Sequence, residues 1–326
     1  MTRSASRAVE LRLSYRAPCD VDGLVRFFAA RAVPGVELVA DGVYYRSVRL
    51  EHGGGVVALR AGADDVEAKL WLDSADDLDA AAAACRRLLD LDTDPAPIVA
   101  ALGRDELIGA IVRSAPGRRV PGVVEPDELA IRAVLGQQVS LAGAATLAGR
   151  LVRAYGEPLE HPVGAVTHLF PSAASLAAAD PEQLAMPWSR RRALIGLATA
   201  LAEAEVVLDV ASMAQDEIEL RLLALPGIGP WTVAYVAMRA LGDRDAFMPT
   251  DLGVRHGLER LGRDGRPPGA NALAEGWRPY RAYATQHVWA QLAAPARPES
   301  HAAATRAAPA RPESHAAATR AVSNTP

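Results

Sequence analysis

The periodicity of hydrophobic residues changes once along this chain of 326 residues, at the dipeptide Asp94-Pro95. Before that point, apolar and polar residues partly alternate and glycine or aspartate turns separate the runs, which is typical of β-strands. After it, alanine and leucine recur at helical spacing, interrupted by glycine and proline. The change predicts an α+β domain over residues 1–94, followed by an all-α domain over residues 95–292.

The N-terminal part contains four runs with strand character and two with helix character. The strand-like runs are VELRLSY, ELVADGVYYRSVRLE, VVALRAG and VEAKLWL. Helices are predicted near residues 21–32, where Asp20 is a suitable N-cap, and near residues 77–89. We therefore expect an antiparallel sheet with helices on one side.

Only helices are predicted between residues 95 and 292. Their predicted ranges are 125–155, 172–179, 181–186, 189–205, 215–225, 229–241, 251–261 and 270–292. From residue 293 the sequence AAPARPESHAAATR occurs twice in tandem. Two short copies cannot build a solenoid, so residues 293–326 are predicted to be a disordered tail rich in proline and alanine.

Several classes of protein are excluded by what the sequence lacks. Cys19 and Cys85 have no thiol or histidine at metal-ligand spacing, which excludes a zinc or iron–sulfur site built on them. No apolar stretch reaches the ~18 residues of a membrane span, and the N-terminus lacks the apolar core of a secretory signal. We expect a cytoplasmic protein with no membrane partner, associated with the nucleoid if the source is bacterial.

The most specific motif is LALPGIGPWTVAYVAMR at residues 223–239. It predicts a helix, a turn over Pro226, Gly227, Ile228 and Gly229, and a second helix that contains Thr232. Glycines permit positive φ and close approach of a ligand, and amides at the start of a helix bind phosphate. This helix-hairpin-helix pattern binds the DNA backbone without reading sequence. An ordinary helix turn with a glycine cap is the alternative.

The charge of the chain conflicts with a general affinity for DNA. The formal net charge is −4, whereas nucleic-acid binders usually carry an excess of positive charge. Basic and acidic residues are mixed along the whole chain. Binding to DNA must therefore depend on a local site and on backbone amides.

A single carboxylate follows the hairpin, because Asp251 stands about twenty residues further on, at the head of the next predicted helix. Cleavage of an N-glycosidic bond builds oxocarbenium character on the sugar. A fixed carboxylate stabilises that charge or orients the attacking water. Aspartate is also a good N-cap, and the two roles are compatible. Asp251 is the predicted catalytic residue.

The hairpin followed by Asp251 resembles the HhH-GPD superfamily of base-excision DNA glycosylases, and within it the AlkA type, 3-methyladenine DNA glycosylase II. The resemblance extends over residues 27–48, 130–151, 185–197 and 275–289. It implies a TATA-binding-protein-like α+β domain and two helical lobes with a cleft between them. It also implies a monomer that removes alkylated bases, such as 3-methyladenine and 7-methylguanine, from double-stranded DNA and leaves an abasic site.

The resemblance also assigns aromatic residues. Trp231 and Tyr235 match residues of the base pocket, where an electron-rich ring attracts a cationic alkylated purine by about 0.5–2 kcal/mol. Core packing is the alternative for both. Tyr280 falls where the family has a tryptophan of the pocket wall, so the preferred lesion can differ. Trp277 and Trp289 are predicted to pack in the core.

Two further roles follow from the resemblance. Gln138 falls where the AlkA type has an apolar wedge that fills the space left by the flipped nucleotide; a surface or cap residue is the alternative. The backbone carbonyls of Leu223, Leu225 and Gly227 match positions that hold a monovalent cation, Na⁺ or K⁺. No other cofactor is implied. Pro230 removes one amide from the phosphate clamp.

The scarcity of lysine determines the expected reaction. Lys69 is the only lysine and lies in the N-terminal domain. Relatives that also cut the strand form a Schiff base through a lysine at the position of Trp231. We therefore predict hydrolysis without strand cleavage. The alternatives are a glycosylase for another damaged or deaminated base and a non-catalytic helix-hairpin-helix protein.

Overall fold

In the computed structural model, which describes residues 8–292, the N-terminal part of the chain forms a five-stranded antiparallel sheet. Its strands, in the spatial order β1-β5-β4-β3-β2, are β1 (Val9–Ser14), β2 (Glu37–Ala40), β3 (Val43–Leu50), β4 (Gly53–Ala61) and β5 (Asp65–Leu72). Short turns join β2 to β5 in sequence. The central strand β4 pairs Val57 with Leu70 on one side and with Arg46 on the other.

Two helices cover one face of this sheet, as the sequence predicts. They are α1 (Val21–Ala29) and α2 (Leu78–Leu88). The Asp20 carboxylate caps α1 by accepting a hydrogen bond from the Gly23 amide at 2.8 Å. Phe28 of α1 stacks on Tyr44 of β3, with ring centroids 4.7 Å apart, in the core between the helices and the sheet. The expected antiparallel α+β arrangement is confirmed.

The rest of the described chain is mainly helical. Its helices are α3 (Pro95–Leu102), α4 (Gly109–Ser114), α5 (Pro126–Leu135), α6 (Leu141–Tyr155), α7 (Ala173–Ala177), α8 (Trp188–Ala202), α9 (Gln215–Ala224), α10 (Pro230–Arg239), α11 (Leu252–Arg260), α12 (Pro267–Ala274) and α13 (Arg281–Ala290). They enclose two hydrophobic cores, one around α5, α6 and α8 and the other around α11 and α13. Helix α10 lies between the cores, because Val236 is buried in the first and Met238 in the second.

The prediction of helices alone after residue 94 is wrong at one place. A two-stranded hairpin, β6 (Glu157–Val163) and β7 (Val166–Leu169), packs on the second face of the five-stranded sheet. Leu159, Val166 and Leu169 form a small core with Val56 of β4. Pro158 and Pro162 disfavour a helix in this segment.

Helix boundaries also differ from the predicted ranges. The segment predicted as one helix over residues 125–155 is interrupted at 136–140, and the segment over 270–292 is interrupted before Tyr280, which follows Pro279. Helices α3 and α4 were not among the predicted ranges. Within residues 8–292, no helix is both long and apolar enough to span a membrane. The duplicated tail from residue 293 lies outside the described residues.

A buried ionic network joins the sheet to the helical part. Arg46 of β3 donates through Nη2 to Oε2 of Glu128 on α5 at 2.7 Å, and Arg132 Nη1 lies 2.6 Å from the other oxygen of Glu128. Arg132 also lies 2.9 Å from Glu37 Oε2, and the Tyr44 hydroxyl donates to Glu37 Oε1. The side chains of Arg46, Glu37 and Glu128 are each less than 5% exposed. Each charge therefore depends on its partners for solvation.

Candidate active site

The predicted hairpin connects α9 to α10 through a tight turn at residues 225–229. Gly227 has φ +85°, in the left-handed region that favours glycine. A Cβ atom added at Gly227 would lie 2.6 Å from the Cβ of Ala193 on α8. Ile228 is buried below the turn, and its amide donates to the Leu225 carbonyl at 3.1 Å. Conformation and packing therefore both require glycine at position 227.

Gly229 has a different environment. Its φ of −112° is accessible to any residue, and a Cβ atom added there would meet nothing within 4 Å. Nothing within the described chain therefore requires a glycine. Gly229 precedes α10, whose first amides have no partner within the helix, apart from Pro230, which has none to donate. A small residue at this point leaves the start of α10 open to a ligand.

A glutamine that the sequence analysis did not select joins the α5–α6 loop to the hairpin. Gln137 Nε2 donates to the Gly227 carbonyl at 3.0 Å and to Thr232 Oγ1 at 3.1 Å. The Gln137 carbonyl in turn accepts from Arg190 Nη2 at 2.5 Å. Gln137 and Gln138 are adjacent in the sequence, and only the conformation of the loop decides which of the two side chains turns towards the hairpin.

Gln138, the predicted wedge, is exposed on the same loop. Its φ of +57° is unusual for a residue other than glycine and costs on the order of 1 kcal/mol. The hydrogen bonds of Gln137 hold the loop in this conformation. The geometry presents Gln138 to solvent beside the hairpin, and its role as a wedge stays a prediction.

The three carbonyls predicted to hold a cation all belong to the end of α9 and the turn. The Leu225 carbonyl accepts one hydrogen bond from Ile228, and the Gly227 carbonyl accepts one from Gln137. A carbonyl oxygen has two lone pairs, so both retain capacity for a ligand. Together with Leu223 they form a donor set of oxygens, which suits Na⁺ or K⁺. The residues fit such an ion, which stays a prediction.

Asp251 is the N-cap of α11 and accepts three hydrogen bonds from N–H groups. Its Oδ1 accepts from the Val254 amide at 2.8 Å and from Trp289 Nε1 at 2.8 Å. Its Oδ2 accepts from Trp231 Nε1 at 2.9 Å. The carboxylate thus lies between an indole of α10 and an indole of α13. The cap role is seen directly, and the two indoles fix the orientation of the carboxylate.

Trp231 and Tyr235 form a parallel stack next to Asp251. Their ring centroids are 5.2 Å apart and their planes differ by 8°. The Tyr235 hydroxyl accepts a hydrogen bond from Arg239 Nη1 at 2.8 Å. Burial alone would raise the pKa of Tyr235, but the charges of Arg239 and Arg31 outweigh burial and lower it. Three predicted site residues, one catalytic and two aromatic, are therefore brought together.

Tyr280 is placed differently from this group. It precedes α13 and makes an edge-on ring contact with Tyr283, with centroids 6.5 Å apart. It packs against the same core as Trp231, but the described contacts do not join it to Asp251. Its assignment to the pocket wall stays a prediction.

The two tryptophans predicted to pack in the core have different outcomes. Trp277 is buried and donates to Asp105 at 3.1 Å, which confirms the prediction. The prediction for Trp289 is incomplete, because its indole N–H binds Asp251. No spacing rule could have shown this, since Trp289 stands 38 residues after Asp251 and tertiary packing alone brings them together.

The only lysine is remote from these residues in the fold. Lys69 lies on β5 and forms an ion pair with Glu10 of β1 at 3.1 Å. Its side chain is 46% exposed at the surface of the sheet. Trp231 stands where a Schiff-base lysine would have to stand, and an indole N–H has no lone pair to offer as a nucleophile.

The helix-hairpin-helix turn and the aspartate that caps the next helix beside aromatic rings both lie in a segment that matches a known family. Residues 10–125 match the family described as AlkA N-terminal domain, and residues 131–281 match the HhH-GPD superfamily of base excision DNA repair proteins. The chain is 37% identical over 284 residues to DNA-3-methyladenine glycosylase 2 of Escherichia coli (strain K12), covering 85% of this chain and 95% of that relative. It therefore belongs to the AlkA family of the HhH-GPD superfamily.

The chain is also similar to a mycobacterial relative and to a solved archaeal structure. The chain is 48% identical over 292 residues to a protein of Mycobacterium tuberculosis (strain CDC 1551 / Oshkosh) named "Probable bifunctional transcriptional activator/DNA repair enzyme AlkA". This match covers 90% of the chain but only 59% of the relative. The solved 3-methyladenine DNA-glycosylase of Archaeoglobus fulgidus has a TM-score of 0.73 at 20% identity, covering 86% of this chain and 97% of that one. The structural similarity supports the fold.

Proposed function

We propose that this chain is a monofunctional DNA glycosylase that hydrolyses the N-glycosidic bond of alkylated bases in double-stranded DNA and leaves an abasic site. The observation that carries the proposal is the Asp251 carboxylate, held by three N–H donors beside the Trp231–Tyr235 stack. The names of the relatives, which specify 3-methyladenine, support the class of lesion. The protein acts as a cytoplasmic monomer at the start of base excision repair.

Binding to DNA begins at the hairpin. The first amides of α10 point away from the helix and suit a phosphate oxygen, and the absence of a side chain at Gly229 lets the phosphate approach. A monovalent cation on the carbonyls of Leu223, Leu225 and Gly227 would add positive charge at this point. Because the net charge of the chain is −4, this local contact outweighs any general attraction.

The flipped base stacks on Trp231. One face of this indole is covered by Tyr235, so the opposite face is the one available to a base. An alkylated purine carries positive charge, and an electron-rich indole attracts it by about 0.5–2 kcal/mol. Gln138, on the exposed loop beside the hairpin, fills the space that the flipped nucleotide leaves.

Asp251 supports the cleavage step by electrostatics. A carboxylate has about four acceptor positions, so three N–H donors leave about one for the sugar or a water molecule. Leaving of the base creates positive charge at C1′. An opposite charge about 4 Å away contributes about 4 kcal/mol at an effective dielectric constant of about 20. The fixed orientation of the carboxylate requires no reorganisation as the charge develops.

The decisive experiment offers the protein duplexes that each contain one lesion: 3-methyladenine, 7-methylguanine, hypoxanthine or uracil. Strands are analysed with and without alkali, which cuts at abasic sites. We expect alkali-dependent cleavage that is fastest for the alkylated purines. Absence of product from every lesion, with DNA binding retained, would instead identify a non-catalytic binding protein. Cleavage without alkali, or a borohydride-trapped adduct, would contradict the monofunctional reaction.

The two hairpin glycines should respond differently to alanine. Gly229→Ala is expected to weaken binding to an abasic duplex about tenfold, equivalent to about 1.4 kcal/mol. The free energy of unfolding should change by less than about 0.5 kcal/mol. Gly227→Ala is expected to cost about 1–3 kcal/mol of stability, because of its positive φ and the contact with Ala193. Fluorescence anisotropy and urea denaturation measure the two effects. Equal loss of binding and stability in both variants would contradict an open phosphate site at Gly229.

The indole N–H of Trp231 should matter separately from its ring. Trp231→Phe keeps an aromatic face but removes the donor to Asp251 Oδ2, so we expect kcat to fall about tenfold with little change in KM. Trp277→Phe is the matched control, since it removes an indole donor to Asp105 in the core and should lower only the Tm. An unchanged kcat for Trp231→Phe would show that this hydrogen bond does not hold the catalytic carboxylate.

A further inference from the structure

The Trp231–Tyr235 stack is bound at the Tyr235 hydroxyl by a buried arginine. Arg239, in the last turn of α10, donates through Nη1 to the Tyr235 hydroxyl at 2.8 Å. Its Nε donates to the Pro121 carbonyl and its Nη2 to the Gly122 carbonyl, both at 2.8 Å. All three nitrogens are therefore bound, and the guanidinium has one possible orientation. Arg239 Cζ also lies 5.5 Å from the Tyr235 ring centroid, and none of the three hydrogen bonds that Asp251 accepts from Val254, Trp231 and Trp289 comes from Arg239.

Arg239 also contacts the N-terminal α+β part through Phe27 of α1. Two guanidinium groups approach the Phe27 ring, with Arg31 Cζ 3.7 Å and Arg239 Cζ 5.0 Å from its centroid. Arg31 also donates to the Phe27 carbonyl at 3.2 Å, and its own carbonyl accepts from Arg132 Nη2 at 2.8 Å. Both cations are thus held by an aromatic face and by backbone atoms.

The contacts form a continuous path to the carboxylate. From Arg239 it runs to the Tyr235 hydroxyl, through the Tyr235 ring to the parallel Trp231 ring, and from the indole N–H to Asp251 Oδ2. Each link is a directional contact that fixes a plane or an atom. A rotation of the Tyr235 phenol would tilt Trp231 and lengthen the hydrogen bond to Asp251.

We propose that Phe27, Arg31 and Arg239 are positioning residues for the base site, so that the N-terminal α+β part acts on catalysis through the plane of Tyr235. The inference rests on the proposed glycosylase function and deepens it. Arg239 binds the Tyr235 hydroxyl, and the charges of Arg239, Arg31 and Arg132 lower the pKa of Tyr235 against the effect of burial. The pKa of Tyr235 therefore reports whether these arginines are in place, and it can be measured independently of activity.

A double-mutant cycle tests the path. Arg239→Lys keeps the charge but replaces the planar fork of three nitrogens by a single ammonium nitrogen, and Tyr235→Phe removes the acceptor while keeping the ring. On a 3-methyladenine duplex we expect each single variant to lower kcat at least fivefold, with KM changed less than threefold. If Arg239 acts through Tyr235, the double variant is less than twofold slower than the slower single variant. Multiplicative losses would overturn the proposal.

Arg31, which is half-buried and follows α1, provides a second test in which Arg239 is unchanged. Arg31→Met is expected to raise the pKa of Tyr235, measured by ultraviolet difference titration against Tyr235→Phe, and to lower kcat. Arg26→Met is the control, because Arg26 is 71% exposed and pairs with Asp20 away from the stack. The inference would be overturned if the wild type is active and Arg31→Met is folded, but the pKa of Tyr235 is the same in both. An inactive wild type with the expected titration shift would contradict only the glycosylase function.

Discussion

Replacement of Asp251 by asparagine is expected to lower the rate of base release at least about 100-fold, the size of effect seen when one preorganised charge-stabilising group is lost. The negative charge opposite the developing oxocarbenium disappears, while size and capping ability are kept, because asparagine caps helices as well as aspartate does. Helix α11 should therefore remain. Single-turnover cleavage of a 3-methyladenine duplex measures the rate, and DNA binding should change little.

The hydrogen bonds predict a small loss of stability in the same variant. Asparagine offers one oxygen where the carboxylate offered two. When that oxygen takes the Oδ1 position, where it caps α11 and accepts from Trp289, the amide NH₂ faces the Trp231 indole N–H. One donor left unpaired costs about 1–3 kcal/mol. Asp20→Asn is the matched control, since Asp20 caps α1 by the same contact and lies outside the site. Full activity of Asp251→Asn would remove the catalytic assignment.

The features that could be predicted from the sequence are those with a local cause. Asp20 and Asp251 precede helices and cap them, and Gly227 has the positive φ that a tight turn demands. The alternation of apolar and polar residues that predicts the N-terminal strands is also a local signal. In each case the signal lies within a few residues of its effect, so periodicity and turn chemistry were sufficient.

The features that were missed depend on tertiary contacts. Trp289 reaches Asp251 only because α11 and α13 pack together, and Gln137 turns to the hairpin only because the α5–α6 loop has its particular register. The β6–β7 hairpin is stabilised by the apolar face of a sheet about 100 residues earlier in the chain. Arg46, the fully buried partner of Glu128, lies 82 residues earlier in the chain on β3, and no local pattern shows that this helical carboxylate lies in the interior.

Glu128 and Glu125 give the second large expected effect, with opposite signs for two carboxylates one helical turn apart. Glu125 precedes α5 and accepts from the Arg49 amide at 3.2 Å. Burial first, and then the charge of Glu128, raise the pKa of Glu125 to about 7. Burial also acts to raise the pKa of Glu128, but Arg46 and Arg132 outweigh it and lower the pKa. The folded protein thus favours the ionised form of one carboxylate and the neutral form of the other.

These directions set the pH dependence of stability. A lowered folded-state pKa at Glu128 contributes stability that is present above the unfolded pKa and is lost as the pH falls through the folded value. A raised folded-state pKa at Glu125 has the reverse effect. Its neutral form is favoured in the fold, so the stability it contributes declines as the pH rises from the ordinary value of a glutamate towards about 7.

Glu128→Gln is therefore expected to cost about 3–5 kcal/mol at pH 7, because it leaves the buried Arg46 and shared Arg132 without a full counter-charge. Glu125→Gln should be neutral at pH 5 and stabilising by about 1–3 kcal/mol at pH 8, where the wild type must keep a buried carboxylate ionised. Urea denaturation at the two pH values measures both, and each variant is the control for the other, since both replace a carboxylate by an amide at the same interface. Equal destabilisation by the two substitutions would mean that a negative charge stabilises the interface whichever of the two glutamates carries it. Opposite signs would show that it needs one carboxylate in one position, between the two arginines that join the sheet to the helices.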